Sequence, residues 1–381
     1  MILSKNLLTR RTFLGGLYLL FGTGWAISAI STGYSTAIFE ALFLGSSAFA
    51  LWLRGIDRQA RPILAISIIY LSLSAAISIW ARGTHPLDFV LAFKSIYYVI
   101  LLCAFCGKDI FRPKDVAALH RFLLFVFLVV YAVKRFGLGH DRPIVLIENN
   151  FELIFLSLVF YANYIATGRL NFADILALIA IVALSGSRSS AVAAVIVLVF
   201  CINPTKLRGR DIIAIVGVAA VGLAAAYVFM ARTATGLAGI DRLRFLNYFF
   251  ESTDHWNFWD FLVGAPRLTP LSDTACRALA FYENLFSYSG DGTCYSVILH
   301  SFNLRVIYDH GLLGAAFLYA AVWIVLGRQS LRVKLCVALV LFATGMSVSA
   351  LNNVYAVAPI AILAALATAP TDSRKSAQRS S

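Results

Sequence analysis

The sequence predicts an all-α polytopic membrane protein with about 12 transmembrane helices, and two observations lead to this prediction. First, 60% of the 381 residues are hydrophobic and only 13% are charged, whereas a soluble domain is about 45–50% apolar and about 25% charged. Second, the apolar residues fall into runs of about 20 residues, the length that crosses a bilayer as a helix. These proportions exclude a soluble globular domain, a disordered chain and a disulfide-rich miniprotein.

Twelve apolar stretches give the predicted spans. They cover residues 12–30, 35–53, 62–80, 87–106, 116–133, 144–166, 172–186, 189–202, 211–230, 306–326, 335–349 and 353–369. The chain then divides into spans one to nine in residues 1–230, a large external loop at 231–305, spans ten to twelve in 306–369, and a disordered cytoplasmic tail at 370–381. We expect no secretory signal peptide, because further spans follow the first apolar stretch.

The basic residues predict the orientation of these spans. The net charge is +13, and the bases lie in short clusters between apolar stretches, as positive-inside loops require. Such clusters include Arg54, Arg58 and Arg61 after span two, and Lys206, Arg208 and Arg210 after span eight. Both termini are therefore predicted to be cytoplasmic. Because the charge is distributed in this way, no nucleic-acid partner is expected.

Arginines that remain outside oppose the positive-inside bias, so we treat them as candidates for binding an anion. Arg188 lies in the small-residue turn Ser185–Ser190 between spans seven and eight. Serines at a helix start cap its N–H groups, which favour anions, and an arginine adds a bidentate phosphate donor. The alternative is that such an arginine only extends toward lipid headgroups.

A second polar group precedes span six. Arg142 is followed by Glu148, Asn150 and Glu152. Glu148 and Glu152 are four residues apart, so we expect them to share one helix face. A basic loop that leads into carboxylates and amides can seat an anion together with sugar hydroxyls. A simple interfacial salt bridge between Arg142 and Glu148 is the alternative.

The external loop at 231–305 is rich in aromatic residues and is predicted to form a small helical cap at the membrane interface. It contains Cys276 and Cys294, which are 18 positions apart. In an oxidising compartment these two cysteines can form a disulfide; two free thiols are the alternative. The remaining four cysteines are expected to pack in apolar surroundings.

A third polar group lies where this loop returns to the membrane. His300, Asn303 and Arg305 are followed closely by Asp309 and His310. A histidine at the water interface can exchange protons near neutral pH. The sequence contains no His-Glu-x-x-His pattern, no metal-binding DxD pair, no Walker motif and no dinucleotide glycine motif, so we predict neither a metal nor a nucleotide cofactor.

These groups, in this order, resemble the O-antigen ligase/polymerase superfamily of bacterial inner membranes. The matching elements are Arg142–Asn150, Gly186–Ser189, the Phe261–Gly264 "FLxG" element and the His300–Gly314 pattern. Together they cover roughly residues 135–315. One element departs from the family, because Glu148-Asn149-Asn150 stands where many relatives have an Asn-Pro-Asn-like sequence.

The resemblance implies a GT-C-like fold in the inner membrane with the large loop in the periplasm. It also implies glycosyl transfer from an undecaprenyl-diphosphate-linked oligosaccharide without metal or nucleotide. By the same resemblance, Arg188 and Arg142 hold the diphosphate and His300 is essential. Membrane lipid and a chain-length regulator protein are the further partners that it implies.

We therefore predict a polysaccharide polymerase that joins glycan repeats at the periplasmic face. The predicted catalytic residues are His300 and Glu148, and the predicted substrate-binding residues are Arg142, Arg188, Asn150, Asn303 and Arg305. Trp256 or Trp259 is expected to stack on glycans. An O-antigen ligase that transfers glycan to lipid A-core is one alternative, and a lipid-linked oligosaccharide flippase is another.

Overall fold

A computed structural model describes residues 2–30, 36–202, 212, 215–219, 222 and 241–367. Within these residues the chain is helical and contains no strand, apart from a single β-bridge between Phe111 and Leu366. The all-α prediction is therefore confirmed. Most of the predicted ninth span at 211–230, the first ten residues of the predicted loop, and the predicted tail at 370–381 lie outside the described residues.

The helices are labelled in chain order. They are α1 Ile2–Ile30, α2 Thr36–Arg54, α3 Arg61–Ala75, α4 Pro86–Ala92, α5 Lys94–Leu102, α6 Pro113–Ala132, α7 Asn149–Thr167, α8 Phe172–Ser185, α9 Arg188–Cys201, α10 Asp241–Ser252, α11 Phe258–Val263, α12 Asp273–Ala278, α13 Phe302–Val325, α14 Leu331–Gly345 and α15 Val354–Ala364. Single π-helical turns extend α3 to Ala81 and α6 to Gly137.

Five helical segments of the described chain are long and apolar enough to cross a membrane. They are Thr36–Leu53, Arg61–Ala81, Pro113–Gly137, Asn149–Thr167 and Phe302–Val325. The shorter helices α8, α9 and α15 are also apolar. The protein is thus an all-α membrane protein, and the number and orientation of its spans remain predictions.

Two predicted spans differ from the helices in the structure. The predicted span 87–106 is divided between α4 and α5, which meet at Phe93. The predicted span 144–166 becomes helical only at Asn149. Residues 145–147 do not join this helix because their N–H groups bond to the side chain of Glu152 instead.

Helix α7 lies at the centre of the bundle, where it packs against α6, α9 and α15. Every residue of α15 is buried. A helix that is apolar on all sides is stable in this way because neighbouring helices enclose it. This enclosed core fixes both ends of α7, and the start of α7 carries the first group of candidate residues.

Glycine and serine build the tight turn between α8 and α9. Gly186 ends α8 with a left-handed φ of 59°, a conformation that costs a glycine little. Ser187 then caps α9, because its hydroxyl accepts the N–H of Ser190 at 3.2 Å. The small-residue motif is therefore a helix end followed directly by a helix start.

Candidate active site

Hydrogen bonds join the start of α7 to the turn between α8 and α9. The side chain of Asn149 donates to the carbonyl of Ser185 at 2.9 Å. The amide oxygen of Asn150 accepts hydrogen bonds from the hydroxyls of Ser187 and Ser189. We call this set, Glu148–Asn150 together with Ser185–Ser190, the turn cluster. Two sequence motifs that are 36 residues apart thus form one polar unit.

Arg188 is the first residue of α9 and is half-buried within the turn cluster. It lies at a helix N-terminus, where the unbonded N–H groups and the helix dipole favour a negative charge. The arginine adds a permanent positive charge at the same point. The turn cluster is therefore suited to an anion such as a phosphate or diphosphate.

Glu148 is the carboxylate of the turn cluster. Its Oε1 accepts a hydrogen bond from the amide nitrogen of Asn150 at 2.7 Å. Burial raises the pKa of Glu148, while this hydrogen bond and the charge of Arg142 act in the opposite direction. Arg142 itself is exposed. A half-buried carboxylate with a raised pKa is a reasonable proton acceptor in this setting.

Glu152 has a different role from Glu148. The prediction that these two carboxylates share one helix face is wrong. Glu148 has extended backbone before α7, so the two carboxylates do not share a helix face. Glu152 is wholly buried. It accepts the backbone N–H groups of Val145, Leu146 and Ile147 at 2.8, 2.6 and 2.7 Å. This carboxylate is therefore structural and folds the segment that leads into the turn cluster.

His300 lies in the cap formed by the described part of the loop. Its backbone is left-handed, with a φ of 47°, directly after a short 3₁₀ turn. Its ring centroid is 4.7 Å from that of Tyr282 and 5.7 Å from that of Phe245. Aromatic packing from two separate parts of the cap therefore holds the imidazole in place.

A disulfide between Cys276 and Cys294 crosses the cap, with the two Cα atoms 5.5 Å apart. The enclosed segment carries Tyr282, one of the rings that contact His300. Trp256 is half-buried and stacks on Tyr308 with the ring centroids 5.3 Å apart. Trp259, by contrast, is 67% exposed.

Asn303 and Arg305 contact the protein's own helices. The side chain of Asn303 donates to the carbonyl of Phe342 in α14 at 3.0 Å. Arg305 is 5% exposed and donates to the carbonyl of Leu91 at 3.3 Å. These contacts favour roles in helix packing. They also place the two side chains against different neighbours, although they are only two residues apart.

Gly264 of the Phe261–Gly264 element lies against Gly311 of the His300–Gly314 pattern, backbone to backbone. Gly311 interrupts α13 with a φ of 66°, and the carbonyl of Tyr308 accepts the N–H of Ala265 at 2.7 Å. A Cβ at Gly264 would lie 2.5 Å from the nitrogen of Gly311, and one at Gly311 would lie 2.4 Å from the carbonyl oxygen of Leu262. These glycines thus attach the cap to α13.

Sequence reasoning missed one polar group around α3. The hydroxyl of Tyr70 lies 2.8 Å from Nδ1 of His310, and the guanidinium of Arg267 lies 4.7 Å from the centre of the Tyr70 ring. Arg267 also donates to the hydroxyl of Ser74 at 3.1 Å. The signal was present, because Tyr70 and Ser74 are four residues apart on one face of an apolar helix.

Comparison of the sequence with protein-family models and with curated proteins finds no match. The function proposed below therefore rests on the residues of this chain and their contacts. The structure brings Glu148 and Asn150 together with the turn that bears Arg188, and it places His300 in the cap.

Proposed function

We propose that the protein is a metal-independent membrane glycosyltransferase, a polysaccharide polymerase. It uses an undecaprenyl-diphosphate-linked glycan as donor and a sugar hydroxyl as acceptor, in the periplasmic leaflet of a bacterial inner membrane. The observation that carries the proposal is the turn cluster, which combines Arg188 at a helix N-terminus with a hydrogen-bonded carboxylate, amides and hydroxyls.

The donor end of the reaction needs charge stabilisation. The acceptor oxygen attacks C1 of the donor sugar, the bond between C1 and the phosphate oxygen breaks, and the diphosphate leaves with the electron pair. Arg188 and the N-terminus of α9 would stabilise this charge, with Arg142 as a second positive group nearby. Because these groups are fixed before reaction, little reorganisation is required.

The acceptor end needs a proton acceptor. His300 is our first choice because imidazole exchanges protons near neutral pH and the cap holds the ring between Tyr282 and Phe245. Glu148 is the second choice, since its carboxylate lies within the turn cluster and burial raises its pKa. The exposed Trp259 is an aromatic side chain that could stack on a glycan.

Transfer by purified protein tests this proposal. The full chain in detergent or nanodiscs is incubated with an undecaprenyl-diphosphate oligosaccharide, and the products are separated by size. A polymerase lengthens the lipid-linked glycan. A ligase gives product only when lipid A-core is added. Movement of the donor across a vesicle bilayer without any new glycosidic bond would contradict both enzymes and indicate a flippase.

A further inference from the structure

The short helix α11, Phe258–Val263, carries large apolar side chains that remain exposed. Phe258 is 70% exposed, Trp259 is 67% exposed and Val263 is 48% exposed. With 3.6 residues per turn, these three side chains lie within an arc of about 140° around the helix. A single exposed apolar side chain is ordinary on a protein surface, whereas a group of them on one side of a helix indicates a contact surface. We call these three residues the apolar face of α11.

The end of α11 lies against α13 at a point well along that helix. A Cβ at Gly264, the residue after α11, would lie 2.5 Å from the nitrogen of Gly311. Gly311 is nine residues after Phe302, the first residue of α13, which is roughly 14 Å along a helix axis. The 24 residues of α13 span roughly 36 Å, and the hydrocarbon core of a bilayer is about 30 Å thick. This contact is therefore at membrane depth.

The surface of α13 that faces lipid begins directly at this contact. Leu312 and Leu313 follow Gly311 and are both exposed. Because α13 is long and apolar enough to cross a membrane, we expect exposed leucines on it to contact lipid. Val263 and Leu312 are each next in sequence to a glycine of the contact. The apolar face of α11 is therefore continuous with a surface that already faces the membrane.

The backbone of α11 is hydrogen-bonded in a way that suits surroundings with little water. In lipid, backbone N–H groups at a helix end must be bonded by the protein itself. The side chain of Asn257 accepts the N–H of Trp259 at 2.8 Å, and the carboxylate of Asp260 accepts the N–H of Asn257 at 2.8 Å. At the other end, the carbonyl of Asp260 accepts the N–H of Gly264 at 2.7 Å. These N–H groups therefore need no water.

The residues just before α11 have the opposite character. Asp254 and His255 are exposed, and Oδ1 of Asp254 lies 3.0 Å from Nδ1 of His255. The exposed surface thus changes within a few residues from charged side chains to the rings of Phe258 and Trp259. A change of this kind, with tryptophan and phenylalanine at the boundary, is typical of a helix that lies in a membrane interface.

We propose that α11 is a membrane anchor of the cap. Phe258, Trp259 and Val263 insert among the lipids of the leaflet on the cap's side, next to α13. Trp259 then contacts lipid and not a glycan. This proposal is independent of the reaction assigned to the turn cluster and His300.

Spin labels on the full chain in lipid nanodiscs test the proposal. Labels are attached in Phe258→Cys, Trp259→Cys and Val263→Cys, and their collisions with oxygen, which concentrates in lipid, and with a water-soluble nickel chelate are measured. Asp254→Cys is the matched control, because Asp254 is an exposed residue of the same segment. Wild type, whose free cysteines are buried, gives the background. We expect the three labels on α11 to collide mainly with oxygen, and the control label mainly with the nickel chelate.

Two results for the labels on α11 would overturn the proposal. Collisions with the nickel chelate as frequent as those of the control label would show that the apolar face lies in water, where Trp259 is available to a glycan. Protection from both reagents would show that protein, such as a second copy of the chain, covers the face.

A further substitution tests insertion while the label stays in place. With the label in Val263→Cys, Trp259→Glu should withdraw the apolar face from lipid, because a carboxylate is costly to bury there. Collisions with the nickel chelate should then rise several-fold. Asn284→Glu, at an exposed position elsewhere in the cap, should leave them unchanged. Equal collision rates in the two glutamate variants would contradict the proposal.

Discussion

The turn cluster and the cap around His300 are held in place by different forces. In the turn cluster, amides and hydroxyls bond to one another and to helix ends, as Asn150 does with Ser187 and Ser189. In the cap, aromatic rings and one disulfide position His300. The first region is thus a rigid polar frame that suits fixed charge stabilisation. The second depends on packing, so its geometry can be changed without touching the first.

The largest effect is expected on stability, at Glu152, which holds the segment that leads into the turn cluster. Glu152→Ala removes the acceptor for three backbone N–H groups, two of them buried. Since each unsatisfied buried group costs about 1–3 kcal/mol, we expect a loss of roughly 4 kcal/mol and an apparent Tm lower by about 10 °C. Thermal unfolding in detergent measures this.

Glu148→Ala is the matched control for Glu152. Its carboxylate accepts a side-chain hydrogen bond rather than backbone N–H groups. We therefore expect its apparent Tm to fall by no more than a few degrees. Equal destabilisation by the two variants would show that Glu152 does not anchor the frame as described.

The next largest effect is expected on catalysis at Arg188. Arg188→Ala removes the permanent charge at the start of α9, and we expect transfer to slow by about 10²–10³-fold, as for loss of a charge-stabilising donor. Arg188→Lys should restore little, because an ammonium cannot make the bidentate contact. Transfer assays with folded variants measure both. Near-normal turnover by the lysine variant would rule out the bidentate contact.

A smaller effect on glycan transfer is expected when the disulfide of the cap is removed. Cys276→Ser with Cys294→Ser opens the segment that carries Tyr282, and on the entropic model a closed loop of this size contributes about 3 kcal/mol. We expect transfer to fall several-fold while donor binding is unchanged, because only the position of His300 is affected. A Cys103→Ser variant, which removes a buried free cysteine, is the control. Loss of donor binding in the double serine variant would contradict the separation of the two regions.

The smallest effect is expected at Glu148, and it depends on pH. Burial raises the pKa of this carboxyl, so it becomes protonated, and inactive as a base, at a pH above the ordinary glutamate value of about 4.3. Wild-type transfer should therefore decline on the acidic side above that value. Glu148→Gln should lose this limb and slow turnover less than the double serine variant does. A pH–rate profile with the same acidic limb in both proteins would exclude Glu148 from proton transfer.

Much of the fold could be predicted from local patterns in the sequence. Apolar runs indicated the helices, and Gly186 with Ser187 indicated the turn that ends α8 and begins α9. The start of α7 could not be predicted this way. Its position depends on Glu152, whose carboxylate binds backbone N–H groups that would otherwise extend the helix toward residue 144.

The candidate site could be predicted in part. The motifs that bear Glu148 and Arg188 were recognised separately, but their contact depends on the packing of α7 against α9, which spacing along the chain does not reveal. Asn303 and Arg305 were predicted to bind substrate because they are polar residues near His300. Their partners are carbonyls of other helices, which only the three-dimensional arrangement brings within reach.

Separate measurement of donor binding and transfer tests the central claim most directly. Undecaprenyl diphosphate binding and glycan transfer are measured for wild type, Arg188→Ala and His300→Ala. We predict that Arg188→Ala loses both, whereas His300→Ala binds the donor as wild type does and transfers about 10²–10⁴-fold more slowly. Wild-type donor binding by Arg188→Ala, or loss of donor binding by His300→Ala, would contradict the assignment of the diphosphate to the turn cluster and of proton transfer to the cap.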